Sequence, residues 1–385
     1  MKKILFVIPG FHIGGTTISL YNLLSTIDKE RYLVDIFALD SSGPYKDKIN
    51  NCRILDDNLF FSSELTNKTL FRRLVFFCMK IIRKVIKTIT GNNKLFYRYG
   101  SKLFKENNYD AVVSFQEGGL TELVSYIPAK KHIAWIHSDY KRYLSLANNP
   151  DELRYYKRYQ NIVCVSEYSK NITQDCLHEI KDRIITLHNI IDYKNIRESA
   201  NLKAEIDYRF DTSTFTIVSV GRIDPVKQFE KVPAIAAKLK NKGISFNWYL
   251  IGGTIDEIHK TEILENIKKE KVENEFIWLG EKTNIYPYIA NADLLVSTSL
   301  SESFPLVINE AKVLGIPVIA NNFKSAYESV ENGKTGYVVP LEEMPYKIYD
   351  IINNKTEYSL IKNYLKTYIY DNESILNEIY HLFEY

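Results

Sequence analysis

This 385-residue chain has few cysteines, and they are poorly placed for any metal or redox motif. Cys52, Cys78, Cys164 and Cys176 form no Cys-x-x-Cys pair, and no Cys/His cluster has zinc spacing. Reduced thiols in a cytosolic protein fit this usage best. Long apolar runs are missing too: nothing reaches the roughly 18 residues that a spanning helix needs. The start, MKKILFVIPG, is apolar for only five residues, Ile4 to Ile8, before Pro9 and Gly10. That is too short for the apolar segment of a signal peptide and reads as a first strand. A net charge of +3 is too small to indicate nucleic acid, and no such partner is expected.

What is present is ordinary globular composition, 45% hydrophobic and 25% charged, in a chain long enough for two domains. Short apolar strands alternate with amphipathic helices. KILFVIP, YLVDIFAL, DAVVSF, HIAWIH and IVCVSE read as strands, and FHIGGT is a glycine-containing loop. A polar stretch near 193–213 has no pattern and marks a boundary. The alternation then restarts with TFTIVSVGRI, FNWYLIGG, EFIWLG, DLLVSTS and IPVIA. Continuous apolar strands separated by helices indicate parallel sheets covered on both faces. The expected architecture is α/β, with two doubly wound Rossmann-like domains at 1–195 and 196–365. A C-terminal helix over 366–385 is expected to pack back on the first domain. In such folds ligands bind at the carboxyl ends of the strands, so a cleft between the domains is the expected site.

One segment departs from the alternation. Between Lys68 and Lys105 there are eleven Lys/Arg residues, and no Asp or Glu occurs between Glu64 and Glu106. Leu70, Phe71, Leu74, Phe77, Ile81 and Ile82 are interleaved with them. A helix of this mix is basic on one side and apolar on the other, which suits an anionic membrane surface. An ordinary surface helix beside a core has the same composition.

Two further stretches carry candidate chemistry. In GRIDPVKQFE, Gly221 permits a tight turn after a strand. Arg222 and Lys227 flank Pro225 just before a helix, where two cations can face one phosphate. In STSLSESFPLVINEAKVLGIPVIA, a buried strand ends near Ser299, and Ser301 or Ser303 is placed to cap the next helix, with Pro305 in its first turn. The helix start can receive a diphosphate. Glu310, one to two turns in, can accept from two vicinal hydroxyls of a ribose, and Glu302 reaches another part of the ligand, such as a sugar ring. A capping Glu302 and a salt-bridged Glu310 explain the same spacing equally well.

Together SVGRIDPVKQ, the Leu279–Gly280 pair, ADLLVSTSLSESFPLVINEAKVLGIPVIA and NGKTGYVVP resemble the donor half of the retaining glycosyltransferases of family 4, which have the GT-B fold. The hallmark of that family is a Glu, seven residues and a second Glu, matched by Glu302 and Glu310. The first half agrees more loosely, through Gly14–Gly15, His137 in WIHSD, VSEYSK and HNIID. The resemblance implies that Arg222 and Lys227 bind and stabilise the departing diphosphate, assisted by backbone N–H groups around Phe304 to Leu306. It also implies that Glu310 holds the ribose and Glu302 the donor sugar. Gly14 and Gly15 let the backbone approach the donor, His137 lies near the sugar, and Gly280 with Glu281 meets the base. Ser303 departs from a position where glycine is common, and Thr16 follows the glycine pair in place of a more usual residue. A satisfied core histidine would look the same as His137 in sequence.

No Asp-x-Asp occurs in the chain. The Arg/Lys pair is therefore expected to do what a bound metal does in other glycosyltransferases, and no cofactor is expected. The expected activity is transfer of a sugar, with retention, from a UDP-sugar to a glycan acceptor. The basic segment suggests a lipid-linked acceptor for capsule, O-antigen or exopolysaccharide, with the enzyme held peripherally on the inner face of the plasma membrane. A non-hydrolysing sugar-nucleotide epimerase and a catalytically silent GT-B-like scaffold are the alternatives.

Overall fold

The structure, a computed structural model, describes every residue except 51, 57, 59, 63–68, 148–151, 203–212, 255, 256 and 385. Lys68 and residues 203–212 of the patternless stretch near 193–213 therefore lie outside the described residues, and the start of that stretch, Tyr193–Ala200, is helical. The chain forms two compact units, Met1–Ile190 with Asn372–Tyr385, and Ile191–Asp371.

The first unit runs β1 (Lys2–Ile8), α1 (Gly15–Thr26), β2 (Tyr32–Ala38), β3 (Arg53–Ile54), α2 (Leu70–Thr90), α3 (Lys94–Gly100), β4 (Tyr109–Ser114) and α4 (Gly119–Val124). It continues through β5 (Ala129–Ile136), α5 (Tyr140–Leu146), α6 (Leu153–Tyr156), β6 (Asn161–Cys164), α7 (Glu167–Cys176) and β7 (Ile184–Thr186). All strand pairs are parallel, in the order β3-β2-β1-β4-β5-β6-β7. Ile4 to Ile8 of β1 are buried without alternation, because helices cover both faces of the sheet. From α1, Leu20, Leu23 and Leu24 join that interior. Asp35 of β2 is buried yet satisfied: Arg53 holds its two oxygens and the Tyr109 hydroxyl donates to it at 2.7 Å.

The second unit runs α8 (Tyr193–Ala200), β8 (Phe215–Val220), α9 (Val232–Asn241), β9 (Phe246–Ile251), α10 (Glu257–Glu270), β10 (Phe276–Gly280), α11 (Tyr286–Ala290) and β11 (Leu294–Ser297). It ends with α12 (Leu306–Val313), β12 (Val318–Asn321), α13 (Ala326–Ser329), β13 (Gly336–Val339), α14 (Met344–Asn353) and α15 (Lys355–Lys366). Its parallel sheet has the order β10-β9-β8-β11-β12-β13. Side chains alternate between two cores: Ile217, Trp248, Leu250 and Leu294 fill one face, and Val218, Leu295, Ile308 and Val318 the other. The Trp248 indole donates to Ser219 Oγ at 3.0 Å, which donates in turn to Val296 O, so the buried polar atoms are matched.

In both sheets the order reverses beside the first strand, between β1 and β4 and between β8 and β11. Loops leaving the carboxyl ends there diverge and leave a crevice.

The helix expected from 366 starts later. α15 ends at Lys366, residues 367–371 are not helical, and α16 (Asn372–Glu384) follows. α16 belongs to the first unit. Lys2 Nζ donates to the Glu384 carbonyl at 2.9 Å and Lys131 Nζ to that of Leu382 at 2.7 Å. These two cations satisfy carbonyls at the negative end of the helix.

Candidate donor site

The site is built on the reversal between β8 and β11. The chain leaves β8 through Gly221, whose N–H bonds to Ile251 O at 3.0 Å. At Gly252, a Cβ would lie 1.8 Å from the Gly221 carbonyl, so only glycine lets the end of β9 approach this turn. Gly280, at φ +74°, ends β10 in the left-handed region and accepts from Gly252 N–H at 2.9 Å. The Glu281 carboxylate lies against Gly253, where an added Cβ would be 3.0 Å from Oε2. Gly221, Gly280 and Glu281 thus gather at one end of the sheet.

The loop after β8 is fastened to the loop after β11. Thr298 Oγ1 donates to Lys227 O at 2.6 Å, and Leu300 N–H to Val226 O at 2.7 Å. Lys227 Nζ pairs with Glu302 Oε1, which also accepts from Ser299 Oγ at 2.8 Å. Asn321 and Ser325 hold the same loop through the Ser299 and Glu302 carbonyls. The ammonium of Lys227 is therefore held in place at the crevice before any ligand arrives. The sequence reading had both cations free to meet one anion. In the structure each is paired, because Arg222 Nε and Nη2 lie 3.2 and 3.1 Å from Asp224 Oδ2. Asp224 also accepts from Val226 N–H at 3.0 Å, which closes the turn. Asp224 was not among the sequence candidates, although an Asp before Pro is a recognised turn signal.

The expected serine cap of α12 is corrected by the structure. Pro305 occupies the N-cap position instead of the first turn, and no side chain caps the helix. The Pro305 carbonyl accepts from Ile308 and Asn309 N–H, so Ser301 and Ser303 lie too far upstream. Ser303 is buried, and Phe304 with Leu306 packs beside Ile191, Ile196 and Val313. With no side-chain cap, the first turn at Leu306 keeps N–H groups suited to an anion.

Glu310 is buried on α12, and among the described residues only the Tyr286 hydroxyl hydrogen-bonds to its carboxylate, at 3.3 Å. The salt bridge that the sequence allowed is not formed; Glu302 holds the lysine instead. Burial pushes the Glu310 carboxyl up to about 7, against the smaller opposing pull of Tyr286. A buried carboxylate without a cation is costly to keep charged.

Three candidates lie in the first unit. Gly14 is the N-cap of α1, in extended backbone, and Gly15 is its first helical residue, so the expected loop ends at Gly14. A Cβ on Gly14 would meet nothing within 4 Å, so space within this unit does not require glycine there. His137 follows β5. Its N–H donates to Glu117 Oε2 at 2.9 Å, and its ring tilts against Phe115 at 4.7 Å. Its Nε2 is buried with no hydrogen-bond partner among the described residues, unlike a satisfied core histidine. Burial pulls its pKa down to about 3, so the ring is neutral at pH 7. Glu117 was missed in the sequence; its one signal is an acid just past a buried strand, in SFQEGG.

Residues 203–365 match the family model described as glycosyl transferases group 1, and residues 13–195 match that of glycosyltransferase family 4. The chain belongs to family 4 of the glycosyltransferases. This glycosyltransferase is 29% identical over 176 residues to an uncharacterised 41.2 kDa protein in the cps region of Klebsiella pneumoniae, covering 46% of each chain. It is 28% identical over 179 residues to N-acetyl-alpha-D-glucosaminyl L-malate synthase of Bacillus anthracis, covering 46% of this chain and 45% of that one. The chain thus spans about half the length of these curated relatives. The crystal structure of Anabaena HepE in complex with UDP matches over 99% of both chains, with a TM-score of 0.73 and 19% identity. The shared fold is GT-B, and the transferase has its two parallel-stranded α/β units. Among the described residues no three His, Cys, Asp or Glu side chains form a metal-holding group, and no helix is long and apolar enough to cross a membrane.

Proposed function

We propose that this glycosyltransferase transfers a sugar, with retention, from a UDP-sugar to a glycan acceptor, and that the acceptor is lipid-linked. The reading rests on the Lys227–Glu302–Ser299 cluster, with Arg222 on the same loop, at the strand-order reversal of the second unit. Transfer breaks the bond between the anomeric carbon and the diphosphate oxygen. Negative charge grows on the diphosphate as it leaves. Arg222 and Lys227 stabilise that charge in place of a metal, and the start of α12 adds its dipole. Glu302 holds Lys227 in position and meets the donor sugar; Glu310 takes the ribose hydroxyls. Gly280 and Glu281 meet the base. The acceptor hydroxyl attacks from the leaving-group side and gives its proton to the departing phosphate. Neutral His137 offers Nε2 to a sugar hydroxyl, with Glu117 fixing its backbone and Gly14–Gly15 leaving room.

The UDP assignment draws support from HepE, whose structures hold UDP and UDP-glucose. The Klebsiella relative lies in a cps region, in keeping with synthesis of capsule or another surface polysaccharide. The proposed location is the inner face of the plasma membrane.

The test is incubation of purified enzyme with UDP-sugars, EDTA and a panel of glycan acceptors, followed by NMR of the product. Acceptor-dependent release of UDP and an anomeric configuration matching the donor are expected. An epimerised UDP-sugar formed without acceptor would identify an epimerase instead. Neither turnover nor nucleotide binding would leave the silent scaffold.

A further inference from the structure

α2 runs for 21 residues, with a face that no described residue covers. None of its residues is buried, and Phe71, Leu74 and Phe77 are 73%, 62% and 62% exposed. Leu74, Phe77, Ile81, Val85 and Ile89 recur at helical spacing along one side. A second side carries Arg72, Arg73, Lys80, Lys84 and Lys87, all exposed, and the helix contains no acid. The third side faces the protein. Met79 and Ile86 pack on the first unit's core, and Arg83 hydrogen-bonds the Tyr97 hydroxyl with its guanidinium 5.0 Å from that ring. α2 is therefore fixed to its unit, with an apolar face turned outward and a basic row along its flank.

An uncovered apolar row along a helix about 30 Å long calls for an occupant. The flanking charge selects among the possibilities. In a second copy packed face to face on α2, two cation rows with no acid between them would meet and repel. An anionic lipid surface matches both sides at once: headgroups take the cations, and the acyl boundary takes the apolar row. We propose that α2 lies flat in an anionic bilayer with its Leu74–Ile89 face inserted below the headgroups. The proposal rests on the lipid-linked acceptor reading for its purpose, but membrane binding itself needs neither donor nor acceptor. Inserted this way, the first unit is presented to the membrane at a fixed orientation.

The test uses the full chain with vesicles free of donor and acceptor, comparing phosphatidylglycerol/phosphatidylcholine mixtures with phosphatidylcholine alone. Flotation is expected with the anionic vesicles and only weakly with the neutral ones. The double variant Leu74→Asp/Ile81→Asp is expected to partition at least tenfold less, with an unchanged melting temperature and unchanged transfer to a water-soluble acceptor. Lys80→Glu/Lys84→Glu/Lys87→Glu is expected to lose the preference for anionic lipid. A tryptophan introduced by Phe77→Trp is expected to shift to the blue and to be quenched by brominated acyl chains.

No flotation of the wild type, or equal flotation of the aspartate variant, overturns the proposal. Flotation without a fluorescence shift reduces the contact to headgroup electrostatics and overturns insertion. A wild-type dimer in sedimentation, dissociated by the aspartate substitutions and indifferent to vesicles, assigns the face to a second copy. Vesicle binding without any sugar transfer would remove the proposed function and leave the anchor standing; transfer without vesicle binding would do the reverse.

Discussion

Lys227→Ala is expected to lower kcat by about a hundred- to a thousandfold, the usual effect of removing one preorganised charge-stabilising donor. The ammonium acts on charge that develops only as the diphosphate leaves, so the larger loss falls on kcat and the smaller on KM. The fold should survive. Lys227 and Glu302 are each about one-fifth exposed, and such a pair contributes on the order of 1 kcal/mol. The loop also keeps its Thr298–Lys227 and Leu300–Val226 backbone ties. Steady-state kinetics beside a thermal melt separate the two effects. A variant with wild-type kcat would remove Lys227 from the chemistry, and one that unfolds would show that the pair is structural.

Glu310→Gln is expected to weaken UDP binding by about 1.5–3 kcal/mol, the range for lost charge-assisted hydrogen bonds. The same variant is expected to be more stable than the wild type at pH 8 without ligand. The sign follows from the raised carboxyl. Its folded pKa of about 7 lies above the ordinary glutamate range, because of burial. Its contribution to stability is therefore complete below the unfolded pKa and is lost as pH rises through about 7. Glutamine removes that loss. Hydroxyl donors favour the ionised form, so UDP binding should release a proton near neutrality. Wild-type affinity should then rise from pH 6 to 8 more steeply than that of the glutamine variant. Calorimetry at both pH values checks this. Equal UDP affinity in the two proteins would remove the ribose role, and a less stable variant at pH 8 would mark Glu310 as a structural group.

The alternation of strands and helices was legible because parallel strands buried on both faces read as continuous apolar runs, as in KKILFVI and FTIVSV. The spacing of Glu302 and Glu310 and the basic–apolar mix near Lys80 were legible for similar local reasons. What local sequence does not hold is partnership. Lys227 and Glu302 are 75 residues apart, and they meet only because β11 pairs with β8. Spacing alone allowed Glu310 either a salt bridge or a ribose and gave Lys227 no partner, whereas the fold pairs Lys227 with Glu302. Ser303 had the residue type of a cap, but the fixed φ of Pro305 starts the helix later. Glu117 owes its place to His137, twenty residues on and one strand away. For α2, composition showed a basic and an apolar side; packing of Met79 and Ile86 decided which side faces the core.

The most direct test of the central claim is calorimetric titration of UDP, GDP, ADP and CMP into the purified protein with EDTA present, repeated with Arg222→Ala. The account predicts that UDP binds without metal and that the variant loses it. If none of the four binds the wild-type protein, the donor site assigned to Arg222, Lys227, Glu302 and Glu310 is contradicted.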